Sequence, residues 1–241
     1  MLRIGLLGGM SWESSIEYER IINTEVRNRL GGTSSADLLI RSYDFATIEA
    51  RQMAGEWDAL GDLLAADAAR LEVAGAEVLV LCTNTMHKVA DRIQAAITIP
   101  FVHIGDATAA AVTAAGVDAV GLLGTRFTME QDFYIDRLAA NGLSVLVPEE
   151  PDLTAVHDVI FAELVQGVIS PVSKSIYLDV IQRLLDRGAS GIIAGCTEIE
   201  LLIRQEDLDV PLFPTARLHA LAAVAAALPD ADRARVAEPT S

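Results

Sequence analysis

Short apolar runs alternate with longer segments of helical spacing along most of the chain. Runs of four to six apolar residues bounded by glycine or proline, such as residues 4–7, 78–81 and 191–194, are typical of buried strands. Segments such as 57–74, with leucine and alanine recurring every three or four positions, predict amphipathic helices. Strands that alternate with helices predict parallel sheets covered on both faces, so the expected fold class is α/β.

The same pattern occurs twice. Residues 3–8 match 119–124, residues 75–81 match 188–194, and residues 99–101 match 210–212. A period this long excludes a solenoid and predicts two related lobes, each Rossmann-like with a mostly parallel four-stranded sheet flanked by helices. We expect residues 1–104 plus 215–228 to form the first lobe, residues 105–214 to form the second, and residues 229–241 to be a flexible C-terminal tail.

Several local features are expected from the residue types. Ser14 or Ser15 is a candidate N-cap for the first helix, and Thr215 is a candidate N-cap for the last. Residues 44–48 continue the tip of the preceding strand, and residues 124–128 form a loop. Thr197 and Glu198 open a helix directly after the strand 191–194.

Cys196 is the first candidate for chemistry. It follows the apolar run 191–194, at the carboxyl end of a predicted strand, where ligands bind in open α/β sheets. The positive end of the helix that follows would favour the thiolate. The alternative is that Cys196 is a small buried apolar side chain, the commoner fate of a free cysteine. The repeat places Thr83 at the matching point of the first half, so two facing lobes would bring both residues to opposite walls of one cleft.

Inversion at a carbon centre needs two proton-transfer groups, one on each face of that carbon. A thiol, with an ordinary pKa of about 8.5, can exchange the proton, whereas a threonine hydroxyl has no accessible ionisation of that kind. The backbone N–H groups at the two polar strand tips, residues 83–85 and 196–198, can hold carboxylates. The glycines at 5, 8 and 9 do not fit the dinucleotide fingerprint, because Leu7 stands where a glycine is required.

Composition excludes several classes of binding partner and cellular location. The formal net charge is −16, from 18 basic and 34 acidic residues among 241, which argues against nucleic acid and anionic membranes. No apolar run approaches the roughly 20 residues of a membrane span, and the chain start lacks the apolar region of a signal peptide. Two cysteines outside a CxxC spacing fit a reducing compartment, so we expect a cytoplasmic protein. The four histidines show no ligand spacing, which speaks against a metal.

Three motifs resemble the cofactor-independent aspartate/glutamate racemases: GGMSWES at 8–14, NTMH at 84–87 and GCTE at 195–198. The resemblance covers nearly the whole chain. The segments GEWD at 55–58 and MEQDFY at 129–134 are most similar to the branch of the enterobacterial L-aspartate/glutamate-specific racemase. The resemblance implies two Rossmann-like lobes with the active site between them, an acidic amino acid as substrate, no pyridoxal phosphate or metal, and a homodimer.

The chain departs from the family at the first of its two catalytic cysteines. Thr83 holds that position, and Cys82 lies one residue earlier, where the alternation of a strand turns its side chain the other way. The branch that the chain resembles also carries a threonine there. The resemblance therefore implies a Thr83/Cys196 pair. Our hypothesis is that Cys196 is the indispensable acid/base and Thr83 a weak or water-assisted partner; rotation of Cys82 into the site is the competing idea.

Residues expected to bind substrate come from three sources. The resemblance places Met10, Ser11 and Gln52 near the substrate, although Met10 could merely fill space and Gln52 could be a solvated loop residue. Repeat symmetry makes Thr125 a candidate carboxylate donor. The polar strand tips supply the remaining candidates, which are Asn84, Thr85, Thr197 and Glu198.

Three of the assignments have structural alternatives. Glu198 could hold the substrate ammonium or only cap its helix. Lys174, from a region where some family members use a lysine, could neutralise a carboxylate or be a solvated helix residue. His87 is as compatible with a structural role as with a functional one.

Two other functions of the protein stay open: another superfamily activity, such as a hydantoin racemase or a maleate isomerase, or an acidic amino-acid sensor without turnover.

Overall fold

The computed structural model describes residues 1–228, so the tail predicted for 229–241 lies outside the described residues. Within 1–228, strands and helices alternate as the apolar pattern predicts. The strands are β1 (Ile4–Gly8), β2 (Leu38–Ser42), β3 (Val78–Leu81), β4 (Phe101–Val102), β5 (Ala119–Gly124), β6 (Ser144–Leu146), β7 (Gly191–Gly195) and β8 (Leu212–Pro214).

The helices lie between these strands. They are α1 (Trp12–Leu30), α2 (Phe45–Met53), α3 (Trp57–Val73), α4 (Ala90–Ala95), α5 (Ile104–Ala114), α6 (Arg126–Glu130), α7 (Asp132–Ala139), α8 (Asp152–Ala162), α9 (Pro171–Asp186), α10 (Ile199–Leu202) and α11 (Thr215–Ala227). Short 3-10 segments occur at Thr85–Val89, Leu164–Gln166 and Gln205–Asp207.

The strands form two four-stranded sheets with the same topology. The order is β2-β1-β3-β4 in one sheet and β6-β5-β7-β8 in the other, and every neighbouring pair is parallel. The predicted α/β fold with two helix-flanked, four-stranded parallel sheets is thus confirmed. In both sheets the first strand of the repeat and the strand with the polar tip lie at the centre.

The strand registers agree with the sequence repeat position by position. In the first sheet Gly5 pairs with Leu79, and in the second sheet Gly121 pairs with Ile192. A Cβ at Gly5 would lie 2.9 Å from Ala76 Cβ, and one at Gly121 would lie 2.9 Å from Ile192 Cδ1. Glycine occupies both positions because nearby residues of the same unit leave no room for a side chain.

The described residues divide into two compact units. Of residues 1–228, the first comprises 1–82, 89–103 and 219–228, and the second comprises 83–88 and 104–218. The hexapeptide 83–88 therefore clusters with the second unit.

The core of the second unit lies on both faces of β7. Ile192 and Ala194 belong to one apolar cluster, together with Tyr177 and Leu184, whereas Ile193 belongs to another cluster with Tyr134. This alternation is what a strand buried on both faces requires. Because β7 is apolar throughout, the polar residues of this region begin only after the strand ends at Gly195.

Three local expectations were wrong. The N-cap of α1 is Ser11, whose Oγ accepts from Ser14 N, and not Ser14 or Ser15. Residues 45–53 form helix α2, capped by Asp44, where a strand tip was expected. Residues 126–130 form helix α6 rather than a loop. In all three cases a hydroxyl or carboxylate accepts a backbone N–H at the start of a helix. The helix α1 was expected from its apolar spacing, but α2 and α6 were not. The helix expected after β7 is present: Glu198 is its N-cap, and it runs from Ile199 to Leu202.

No helix in the part of the chain that the structure describes is both long enough and apolar enough to cross a membrane.

Candidate active site

Cys196 lies immediately beyond the carboxyl end of β7, in the second unit. The residue is partly exposed, and its thiol donates a hydrogen bond of 3.0 Å to Oε2 of Glu198. Glu198 is 4% exposed and makes no side-chain cap to α10. Glu198 is the N-cap of α10 through its backbone only, and its carboxylate belongs to the surroundings of the thiol.

The thiol of Cys196 is held in its protonated form. Burial raises its pKa well above the ordinary value, and the negative charge and hydrogen bond of Glu198 raise that pKa further. The backbone N–H of Glu198, at the start of the four-residue α10, does lower the pKa of the thiol as expected, but burial and the Glu198 carboxylate outweigh it. A thiolate at this position requires a new positive charge nearby or transfer of the proton to Glu198.

The Asn84 side chain is the second feature of the site. Its Nδ2 donates a 2.9 Å hydrogen bond to Oγ1 of Thr215, and that hydroxyl donates a 2.9 Å hydrogen bond to the carbonyl of Ala194. Asn84 is 5% exposed, and its Oδ1 has no hydrogen-bond partner. A buried amide oxygen without a partner costs roughly 1–3 kcal/mol, so this atom is suited to accept from a donor group of a ligand.

A run of buried hydroxyls lies at the end of β5. Thr85 Oγ1 and Thr125 Oγ1 are 3.0 Å apart, and Thr125 Oγ1 lies 3.2 Å from Thr128 Oγ1. Thr125 is the N-cap of α6, and its hydroxyl also accepts from Thr128 N. Two of the residues predicted to bind substrate, Thr85 and Thr125, are thus in direct contact within the second unit.

Thr83 is 9% exposed, and its carbonyl is bound by His87. The distance from Thr83 O to His87 Nδ1 is 2.7 Å, and Nε2 of the same ring accepts from the N–H of Ile104 at 3.2 Å. A backbone N–H can only donate, so Nε2 carries no proton and Nδ1 carries one. His87 therefore holds the turn 83–87 in place as a neutral ring, which is the structural one of its two predicted roles.

Cys82 differs from Thr83 in its surroundings. Its side chain is completely buried in the first unit, and its backbone N–H donates to the carbonyl of Leu7. Burial raises the pKa of the Cys82 thiol well above the ordinary value. Two consecutive residues thus belong to different units, the cysteine to an apolar core and the threonine to a polar turn.

In the first unit, the loop after β1 is fixed by serine hydroxyls. Gly9 N donates to Ser15 Oγ at 2.6 Å, and Ser15 Oγ donates to Ser11 O at 3.0 Å. Gly9 has φ 84°, and a Cβ there would lie 2.3 Å from the backbone nitrogen of Tyr43. Of the predicted residues, Met10 and Ser11 are buried in this loop, and Gln52 is buried near the end of α2.

The two remaining predicted residues are Lys174 and Thr197. The ammonium of Lys174, on α9, lies 2.7 Å from Oδ1 of Asp207, and this ion pair holds the pKa of Asp207 below its ordinary value. Thr197, between Cys196 and Glu198, is partly exposed. Within residues 1–228, no three His, Cys, Asp or Glu side chains are grouped so that they could hold a metal ion.

Comparison with known proteins agrees with the sequence and the fold. The family model of the Asp/Glu/hydantoin racemases matches residues 7–223. The chain belongs to this family. The resemblance inferred from the three sequence motifs is thereby confirmed.

Individual relatives extend this comparison. A solved structure from Yersinia pestis, a provisionally assigned Asp/Glu racemase, is 50% identical, covers 95% of this chain and 100% of its own, and has a TM-score of 0.89. An aspartate racemase homologue from Pyrococcus horikoshii OT3 is 34% identical, with 94% and 99% covered and a TM-score of 0.83. The broad specificity amino-acid racemase RacX of Bacillus subtilis (strain 168) is 22% identical over 219 residues, 87% of this chain and 91% of RacX.

Sequence reasoning missed one residue of this family member's candidate site. Thr215 was predicted only as a helix cap, yet its hydroxyl connects Asn84 to the backbone of β7. The available signal was its position directly after β8, at the same edge of the sheet as Cys196, since the carboxyl ends of neighbouring parallel strands share one edge.

Proposed function

We propose that this chain is a cofactor-independent racemase that interconverts L- and D-aspartate or glutamate, with Cys196 as its main acid/base. The observation that carries the proposal is Cys196, a partly exposed residue just beyond β7 whose thiol donates a 3.0 Å hydrogen bond to the buried carboxylate of Glu198. Membership of the Asp/Glu/hydantoin racemase family supports the reaction type.

The proposed first step generates a thiolate only when substrate is bound. The proton of Cys196 passes along the existing hydrogen bond to Glu198, and the substrate ammonium, brought close to the sulfur, offsets the new negative charge. The thiolate then removes the α-proton, which leaves a planar carbanion. Because the resting thiol is protonated, it also serves in the reverse direction as the acid that returns a proton to that carbon.

Thr83 is the proposed partner on the opposite face of the substrate carbon. Its hydroxyl cannot ionise near neutral pH, so it would relay a proton from water rather than act as a base itself. The two faces are then unequal, and one direction of exchange is faster, although the equilibrium between enantiomers is unchanged. The complete burial of Cys82 and its raised pKa favour Thr83 over Cys82 in this role.

The proposed binding groups for the substrate are neutral. Asn84 Oδ1, an acceptor without a partner, would take a hydrogen bond from the ammonium. The hydroxyls of Thr85 and Thr125 would donate to a carboxylate. Met10, Ser11, Gln52 and Thr197 stay predictions, as does Lys174, which would have to leave Asp207 to reach a substrate.

The family resemblance carries three further proposals. These are a homodimer, a cytoplasmic location that fits two unpaired cysteines, and activity without pyridoxal phosphate. Light scattering tests the first, and the assay below, run on protein with no added cofactor, tests the last.

The decisive experiment is exchange of the substrate α-hydrogen with deuterated water, followed by proton NMR and chiral chromatography. We expect the wild type to exchange the α-hydrogen of L- and D-aspartate or glutamate. Cys196→Ala should lose at least about 100-fold in rate, because an acid/base group is removed. Cys82→Ala should retain normal turnover. Wild-type exchange in Cys196→Ala would reject the assignment of Cys196.

Two other outcomes would reject the racemase proposal itself. Thermal stabilisation by an acidic amino acid without any deuterium uptake would indicate an amino-acid sensor. Turnover of a hydantoin or of maleate without exchange of either amino acid would indicate another activity of the same superfamily.

A further inference from the structure

The hydrogen bonds of Thr215 determine which way the Asn84 amide faces. A threonine hydroxyl has one hydrogen, and the carbonyl of Ala194, 2.9 Å away, can only accept it. The hydroxyl oxygen can then only accept from Asn84, also at 2.9 Å. The atom of Asn84 that faces Thr215 must therefore be the NH2 group, and the Oδ1 atom must face the other way.

The orientation matters because each end of the amide would select a different substrate group. With Oδ1 unpartnered, the side chain offers an acceptor, which suits an ammonium. A rotated amide would offer two donors, which suit a carboxylate. Thr215 is completely buried, so water cannot replace its hydroxyl without rearrangement of the core.

Thr215 also ties this amide to the strand that leads to Cys196. Its acceptor, Ala194, lies two residues before Cys196 and pairs in register with Leu123 and Pro214. Two hydrogen bonds and one short stretch of β7 thus connect the Asn84 acceptor to the reactive thiol.

We infer that Thr215 is a positioning residue that fixes the Asn84 amide with its oxygen turned toward the substrate α-ammonium. The inference rests on the proposed function, and it adds a residue outside the three family motifs. Thr215 itself does not touch the substrate, so its loss should affect recognition of the ammonium and leave recognition of the carboxylates unchanged.

The test compares amino acids with dicarboxylates that lack the ammonium. Affinities of L-aspartate and L-glutamate, and of succinate and glutarate, are measured by calorimetry for wild type, Thr215→Val and Thr215→Ser. We expect Thr215→Val to weaken amino-acid binding about 5- to 30-fold, the cost of a buried hydrogen bond, and to leave the dicarboxylates unchanged. Thr215→Ser, which keeps the hydroxyl, should restore wild-type affinity.

Thr108→Val is the matched control, because Thr108 is equally buried and its hydroxyl also donates to a backbone carbonyl, that of Ile104. It should leave both classes of ligand unaffected. Equal weakening of amino acids and dicarboxylates by Thr215→Val, or no weakening at all, would overturn the inference.

A second measurement separates this inference from the proposed function. The side-chain amide resonances of Asn84, identified by their loss in Asn84→Ala, should shift in Thr215→Val but not in Thr108→Val. Unchanged resonances in Thr215→Val would overturn the role of Thr215 even if the enzyme is active. A wild type that neither binds nor exchanges any acidic amino acid would instead reject the proposed function, while the NMR comparison would still decide whether Thr215 fixes the amide.

Discussion

At the scale of single residues, Glu198 has two opposing effects on Cys196. Its charge and hydrogen bond raise the pKa of the thiol, which hinders formation of the thiolate, yet its carboxylate is also the proposed acceptor of the thiol proton. Glu198→Gln separates the two. We expect this variant to have a lower Cys196 pKa and, at the same time, slower α-proton exchange by at least about 10-fold, since the proton acceptor is lost.

The measurement is the pH dependence of thiol alkylation in a Cys82→Ala background, so that only Cys196 reports. Glu200→Gln is the charge-matched control. The charge of Glu200 raises the Cys196 pKa less than that of Glu198, so its removal should have a smaller effect. Faster exchange in Glu198→Gln would mean that Glu198 only restrains the thiol and takes no proton.

At the scale of elements, α11 is anchored by a buried histidine. His219 is completely buried, its Nδ1 lies 2.8 Å from the Tyr18 hydroxyl of α1, and its Nε2 lies 2.7 Å from the carbonyl of Val102. Nε2 must therefore donate and Nδ1 must accept, which leaves the ring neutral. Burial lowers the pKa of His219 to about 4; the hydrogen bond to Val102 opposes this shift, and the charge of His103 adds to it.

This shift predicts a pH-dependent stability of the first unit. Below the unfolded pKa of about 6.5, the unfolded chain binds a proton that the folded chain excludes until about pH 4. The free energy of unfolding should thus be fully present above pH ~6.5 and fall by up to about 3 kcal/mol as the pH drops toward 4. Urea unfolding at about pH 8 and about pH 5 should show about 2 kcal/mol of this loss.

The control for this prediction removes the hydrogen-bonded pair as a whole. His219→Leu combined with Tyr18→Phe leaves neither the imidazole nor the phenol hydroxyl, so the difference in unfolding free energy between the two pH values should shrink by most of that amount. An unchanged difference would show that other groups, such as carboxylates with altered pKa values, cause the pH dependence.

The elements also show what could be predicted from sequence. Strands such as β3 and β7 were predictable because burial on both faces demands continuous apolar runs, whereas their equivalent registers became visible only in the structure. Helices α2 and α6 were missed because they are short and begin at single capping residues, Asp44 and Thr125. Candidate site residues could be named from motifs. The burial that raises the pKa of Cys196 and the hydrogen bonds of Thr215 depend on packing between segments far apart in the sequence, which motifs do not show.

At the scale of the whole molecule, the net charge of −16 opposes the proposed substrate. An acidic amino acid carries a net negative charge at neutral pH, so the field of the protein lowers its local concentration and raises KM. The proposed binding groups, Asn84, Thr85 and Thr125, are neutral and do not offset this field. Salt screens such long-range repulsion, because the Debye length falls from roughly 30 Å to roughly 8 Å between about 0.01 and 0.15 M ionic strength.

We therefore expect the KM for aspartate or glutamate to fall about two- to threefold over this range of potassium chloride, with kcat unchanged because the buried groups at the thiol are screened little. A KM that rises with salt would mean that a cation contacts the substrate carboxylate. The first candidate is Lys174, released from Asp207. In that case Lys174→Met should abolish the rise. Arg183→Met is the control, because Arg183 is a cation on the same helix that is paired with Asp152; this variant should keep the rise. The sign of the salt effect thus decides between recognition by neutral donors and recognition by an ion pair.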